Sequence, residues 1–262
     1  MENDKKLMER AIKSGNLQER ANGNKKYGSS DFSGWTREQI DKLQFQTVLD
    51  ICCGTGNQLA LYAERAEVTD MVGVDLSKES LQMASERLKD LGFKGNVKLL
   101  DCPMEEMFSV KQIANLKFDL ISCFYGLYYA KDVNTVLKQA VDHLAPSGEI
   151  LIVGPYGLNN RSIFDILSRY FTLPELVTRS ATTFMEAEVI PCLSKIADVR
   201  TETFVNRISY PSVEEVMEYW QASTFYEEEF HDAVQMDIED QFRENGQFVI
   251  EKYVMACFGR AR

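Results

Sequence analysis

Apolar and polar positions follow two rhythms between Thr47 and Val153. Short apolar runs alternate with longer stretches in which apolar residues recur every three or four positions. The runs predict strands over 47–51, 71–75, 96–100, 117–123 and 148–154, and the periodic stretches predict helices over 57–67, 78–92, 105–115 and 131–144. The helix from 78 is the best marked: Ser77 is a cap, and Leu81, Met83, Ala84 and Leu88 give an apolar face. Strands alternating with helices imply a parallel sheet covered on both faces, an α/β doubly wound fold that binds ligands at the carboxyl ends of its strands. After Val153 the rhythm changes. A loop and amphipathic helix over Tyr156–Leu173, a helix over 183–196, and strands over Val199–Ile208 and Phe248–Phe258 are expected. An insertion of two helices, 212–245, separates those strands. Ahead of the alternation, residues 1–22 read as a polar helix with Leu7, Met8, Ala11 and Ile12 on one stripe. Residues 22–31 are turn-rich, and a short helix begins near Thr36.

The chain is organised around Val48-Leu49-Asp50-Ile51-Cys52-Cys53-Gly54-Thr55-Gly56-Asn57. A buried strand breaks into a glycine turn and enters a helix, a geometry that brings backbone close to a small polar ligand. Asp50 is unusual for a buried parallel strand. A second strand ends in Asp75, nineteen residues after Gly56, where an acid accepts both hydroxyl hydrogens of a ribose. A dinucleotide fingerprint needs a third glycine, and Leu59 holds that position. An acid near the loop suits a ligand with a positive centre or an amino group better than a pyrophosphate.

Asp50-Ile51-Cys52-Cys53-Gly54-Thr55-Gly56, Val74-Asp75-Leu76-Ser77, Asp101-Cys102, Phe118-Asp119-Leu120-Ile121 and Leu144-Ala145-Pro146-Ser147-Gly148-Glu149 resemble, in order and spacing, the successive motifs of class I S-adenosylmethionine-dependent methyltransferases. The resemblance covers roughly residues 45–155. It implies a seven-stranded, mostly parallel Rossmann-like sheet whose last strand is antiparallel. It also implies an N-terminal lid segment (1–44), a methyltransferase domain (45–262), and helical cap insertions at about 156–182 and 212–245. It assigns the amino-acid end of S-adenosylmethionine to Cys52, Gly54, Thr55 and Gly56, and its ammonium to Asp50, directly or through water; the alternative for Asp50 is tying down the loop's own N–H groups. Asp75 would take the ribose and Leu76 the adenine face. Asp101 would take the adenine amine or else cap the helix after Met104, and backbone at Cys102 would serve the adenine ring. Cys123 and Phe124 come near the methyl group, and Tyr27 is a candidate lid residue or a surface aromatic. Asp119 begins its strand and is expected away from the site. S-adenosyl-L-homocysteine is the expected product.

A sulfonium is an activated methyl donor, so the protein need only align the acceptor and exclude water, with a base where the acceptor is a hydroxyl. Of the two histidines, His143 precedes Pro146 far from the strand ends, and His231, in the insertion expected to roof the pocket, is the base candidate. Tyr125, Tyr128, Tyr129, Tyr156 and Trp220 line an acceptor pocket or are plain core. The insertion carries acids from Glu214 to Glu244 against Arg243 alone, a solvated face or a lure for a cationic substrate.

Net charge of −11 argues against nucleic acid, as does Ser122-Cys123-Phe124-Tyr125 where amino-methylating enzymes of nucleic acids carry Asn/Asp-Pro-Pro-Tyr/Phe. A small-molecule acceptor, at oxygen or nitrogen, is therefore expected. No window approaches the about 20 apolar residues of a membrane helix. Met1–Asn16 lacks the apolar core of a signal peptide, and the six cysteines have no metal-ligand spacing and read as reduced thiols. A cytoplasmic protein, monomer or homodimer, without metal or membrane, is the expectation. A non-catalytic cofactor binder and a nucleotide-cofactor oxidoreductase are the competing readings.

Overall fold

β1 (Thr47–Ile51) pairs in parallel with both β2 (Asp70–Asp75) and β4 (Phe118–Phe124). The computed structural model describes residues 26–261. β3 (Asn96–Asp101) continues the parallel sheet beyond β2, and β5 (Leu144–Pro155) continues it beyond β4. With β6 (Ala197–Tyr210) and β7 (Phe248–Ala261) the order is β3-β2-β1-β4-β5-β7-β6. The last strand thus lies between β5 and β6, and the sheet is mixed and mostly parallel. The chain moves outward from β1 through β2 to β3, then returns to β4 beside β1. That reversal makes a crevice at the carboxyl ends of β1 and β4.

Val48, Leu49 and Ile51 are all but inaccessible, as are Leu120 and Ile121 of β4 and Leu151 and Ile152 of β5. Burial on both faces explains why these strands read as largely apolar runs. The helices α1 (Phe32–Asp41), α2 (Asn57–Ala63), α3 (Lys78–Asp90) and α4 (Val133–Asp142) alternate with the first strands. Ser77 Oγ accepts from Ser80 N at 3.2 Å to cap α3, which buries Leu81, Ala84 and Leu88. Asp132 caps α4 through Thr135 N at 3.1 Å.

Two expected helices differ. In place of a helix over 105–115 there is one 3-10 turn, Met107–Ser109, ended by extended Val110; Met107, Phe108 and Ile113 are buried without it. The helix expected over 183–196 belongs to a longer path: α6 (Glu175–Thr178), π-helical Arg179–Thr183 and Met185–Val189, then α7 (Ile190–Ile196). Thr182 Oγ1 donates back to Thr178 O at 2.7 Å, and Thr183 Oγ1 to Arg179 O at 3.5 Å. Hydroxyls that bond back onto the preceding turn distort helices.

The chain divides into two compact units. Among the described residues, one unit takes 36–154, 184–203 and 255–261, and it contains β1 to β4 and most of β5. The other takes 26–35, 155–183 and 204–254, with α5 (Arg161–Leu167), α8 (Val213–Gln221) and α9 (His231–Asn245). Its core gathers Ile163, Leu167, Trp220, Val234, Ile238 and Ile250. Gly28 bridges Ile208 antiparallel, and Ser29 N donates to Arg207 O at 2.9 Å, so residues that read as turn run along β6. Expectations for residues 1–25, including their polar helix and most of the lid segment, lie outside the described residues. No helix among the described residues is long and apolar enough to cross a membrane.

Candidate functional site

Where β1 ends, Cys52, Gly54 and Gly56 take positive φ angles of 57°, 50° and 76°. A Cβ on Gly56 would lie 2.8 Å from Ala84 Cβ, so glycine here serves both the left-handed turn and the close approach of α3. A Cβ on Gly54 would meet nothing within 4 Å; that side of the loop faces open space. Cys52 holds a left-handed conformation at a cost of about 1 kcal/mol. Its thiol neighbours that of Cys123, and this contact, with burial, pushes the Cys52 thiol up.

Asp75 organises the loop. Its half-buried carboxylate accepts from Gly54 N and from Ser77 N, both at 2.8 Å, and so ties the glycine turn to the entry of α3. Leu76 beside it is 48% exposed, one of the few large apolar side chains left in solvent. Asp101 ends β3 in register with Asp75 and pairs with Lys78 Nζ at 3.2 Å, both side chains exposed. Cys102 is buried, and its N–H donates to Asp75 O at 3.3 Å. Thr55 is half-buried in the turn.

Asp50 stands directly opposite Ser122 in the β1–β4 register and is 1% exposed. Ser122 Oγ donates to Asp50 Oδ1 at 2.7 Å, while Oδ2 has no partner among the described residues. Burial, reinforced by the charge of Asp75 and opposed by the Ser122 hydrogen bond, pushes this carboxyl up to about 7. The carboxylate thus does not tie down loop N–H groups. Asp119 sits at the opposite end of the sheet, where Oδ2 accepts from Gln46 N at 2.9 Å and from Thr47 N and Oγ1 at 3.0 Å. It is structural, as its position in the strand implied.

Cys123 is wholly buried and Phe124 nearly so; Cys123 supports Cys52 from below and offers no surface to a ligand. Tyr125 has φ 54° and its N–H donates to Val153 O at 2.9 Å. Tyr128 packs edge-on against Phe184, ring centroids 5.8 Å apart. Gly126 escaped the sequence reading. A Cβ there would stand 2.7 Å from Cys52 Sγ and 3.4 Å from Cys123 Sγ, so its bareness makes room for the thiol pair. Ser122 and Tyr62 were missed as well. A serine inside an apolar strand, paired with the acid of its neighbour, was the available signal.

The remaining candidates lie in the other unit. Tyr27 donates its hydroxyl to Glu215, and its ring is 5.7 Å from that of Tyr210. Tyr156 packs edge-on to Tyr253 at 6.0 Å. Trp220 does not line a pocket: it is fully buried, with Nε1 donating to Phe225 O at 3.2 Å. Large aromatic surface is core whenever enough apolar neighbours converge, and Trp220 has them. His231 begins α9; its Nδ1 is 3.1 Å from Tyr226 Oη and its ring stacks toward Trp220 at 6.4 Å. It opens on a groove of about 600 Å³ with Glu214, Glu218, Glu239, Met217 and Phe242. The six cysteines are free thiols.

Residues 44–257 match a family model described as a methyltransferase domain. The chain belongs to this family. Its motifs and sheet make it a member of the class I S-adenosylmethionine-dependent methyltransferase superfamily. Among curated relatives, the chain is 28% identical over 149 residues to the ubiquinone/menaquinone biosynthesis C-methyltransferase of Idiomarina loihiensis, covering 54% of this chain and 57% of the relative. It is 26% identical over 129 residues to the demethylmenaquinone methyltransferase of Oceanobacillus iheyensis, covering 45% and 50%. The chain thus spans about half the length of the curated relatives it matches. Among solved structures, the YcgJ protein of Bacillus subtilis superposes with a TM-score of 0.62 at 17% identity, covering 88% of this chain and 97% of that one. An S-adenosylmethionine-dependent methyltransferase of Thiobacillus denitrificans, solved with S-adenosyl-L-homocysteine, gives 0.51 at 18% identity, covering 88% and 90%.

Proposed function

We propose that this chain moves the methyl group of S-adenosylmethionine onto an oxygen or nitrogen of a small molecule. The observation that carries the reading is the Asp75 carboxylate holding the glycine loop while Gly54 leaves that loop open to space. The residues present fit the cofactor. The Cys52–Gly56 turn takes the amino-acid end, Asp75 the ribose hydroxyls, exposed Leu76 the adenine face, and Asp101 with the Cys102 backbone the adenine edge. The unpartnered Asp50 Oδ2 supplies negative character beneath the loop for an ammonium.

The bound cofactor supplies an activated methyl group, so the protein's part is alignment and exclusion of water. Tyr125 and Tyr128 are the acceptor-side candidates of the sheet-centred unit, and Tyr156 that of the other, with Tyr27 kept as a lid candidate. For a hydroxyl acceptor a proton must leave, and His231 is the residue to test as its base. The net charge of −11 supports a small acceptor over a nucleic acid. A carbon acceptor is the second reading, favoured by the Idiomarina relative, named as a C-methyltransferase.

The test is transfer of label from methyl-labelled S-adenosylmethionine to a panel of phenols, amines and reduced quinones. Label on oxygen or nitrogen is the expected result. Label confined to ring carbon replaces the proposal with the second reading. Binding without turnover on any acceptor makes the chain a non-catalytic binder.

A further inference from the structure

We infer that Asp50, hydrogen-bonded by Ser122 and buried beside Tyr62, carries a proton in the free protein and gives it up when the cofactor's ammonium binds at the loop above, so that capture of the cofactor releases a proton. This rests on the cofactor reading just proposed and adds to it a buried acid with one hydrogen-bond partner.

Among the described residues the carboxyl has no cation beside it to neutralise it. Asp50 is 1% exposed. Oδ1 takes one hydrogen bond from Ser122 Oγ at 2.7 Å, and Oδ2 takes none from the described residues. The Tyr62 hydroxyl on α2 is also buried, close enough to be influenced by both Asp50 and Ser122. Among the described residues, the charged or titratable groups around Asp50 are Asp75 at the end of β2, Tyr62 on α2, Cys52 and Cys53 in the loop, and Cys123 on β4. None of these is a cation. An isolated carboxylate in such surroundings is costly, and the group takes a proton instead. The carboxyl accordingly titrates near neutrality, at about 7, with burial as the main cause.

An ammonium arriving at Cys52–Gly56 places a positive charge over this acid without needing direct contact. A nearby opposite charge favours the ionised form. The O–H bond of Asp50 then breaks, its electron pair stays on the carboxylate, and the proton passes to solvent. By linkage, affinity must fall as pH drops below the carboxyl's own midpoint.

The experiment is calorimetric titration of the full chain with S-adenosyl-L-homocysteine between pH 5.5 and 7.5. Each pH is run in two buffers of different ionisation enthalpy, which counts protons released. An α-amino group ionises at about 8, so the ligand stays charged over most of this range. Expected are close to one proton released at pH 6 and affinity about tenfold weaker at pH 6 than at pH 7.5. Asp50→Asn should abolish the release. Ser122→Ala removes a donor that favours the carboxylate, so the midpoint should move up; it also covers the case in which Asp50→Asn does not fold. Binding without proton release, release that persists in Asp50→Asn, or an unmoved midpoint in Ser122→Ala would each overturn the inference and leave the cofactor site standing. No binding at any pH would overturn the cofactor reading itself.

Discussion

The two units differ in how several of their polar groups are satisfied. In the sheet-centred unit two candidate acids bond backbone or a strand neighbour: Asp75 holds Gly54 N and Ser77 N, and Asp50 meets Ser122. In the other unit side chains far apart in sequence satisfy one another. Lys252 donates to Asn160 and to Tyr219, and Tyr170 donates to Asp237 at 2.8 Å. A carboxylate committed to backbone N–H groups enforces a loop shape, and that shape is what a shared small cofactor recognises. Side chains committed to each other enforce only a local packing, which is free to differ from one acceptor to the next. The contrast teaches why the family resemblance reached the cofactor and stopped short of the acceptor.

The comparison can be broken first in the aromatic core. Trp220→Ala removes a fully buried indole and should cost about 3–5 kcal/mol in denaturant unfolding; a loss under about 1 kcal/mol would return Trp220 to the pocket. Asp75→Ala removes two charge-assisted hydrogen bonds to backbone, and affinity for S-adenosyl-L-homocysteine should fall about 100-fold with the secondary structure retained. Unchanged affinity would remove the ribose assignment.

Asp50→Asn tests the buried acid through stability. Its carboxyl is raised to about 7 in the folded chain, against about 4 unfolded. The folded protein therefore binds more protons between those values, and wild-type stability falls as pH rises through the window. Asparagine has no proton to lose. Without ligand, Asp50→Asn should exceed wild type by ~4 kcal/mol at pH 8, and the gap should close toward pH 4. A gap independent of pH would show that burial does not hold the proton there. The smallest effect is expected at Lys78, whose pair with Asp101 is exposed. Lys78→Ala should change stability by less than about 0.5 kcal/mol and leave the Asp101 carboxylate available to a ligand amine.

Much of the sheet-centred unit was legible because β1, β2 and β4 are largely apolar runs, and β2 and β3 end in an acid. β1 is the expected 47–51, and the acids Asp75 and Asp101 stand at the ends of β2 and β3 as read. The failures have local causes. Residues 105–115 bury Met107, Phe108 and Ile113 through turns, and apolar spacing alone does not separate that from a helix. The π-helical turns near Thr182 and Thr183 depend on hydroxyls bonding back to carbonyls, a choice periodicity does not report. In the site, Ser122 and Gly126 were missed because their roles exist only across strands. Ser122 matters through the register with Asp50, and Gly126 through the thiols of Cys52 and Cys123. Trp220 was misplaced because one indole in an amphipathic helix reads equally as pocket or core.

The most direct test of the central claim is calorimetric titration of the wild-type chain at pH 7.5 with S-adenosylmethionine and S-adenosyl-L-homocysteine, with NAD as the control. The account predicts roughly micromolar binding of both sulfur nucleosides and no heat with NAD. Binding of NAD without binding of either sulfur nucleoside would contradict it and assign the loop and Asp75 to a nucleotide-cofactor oxidoreductase.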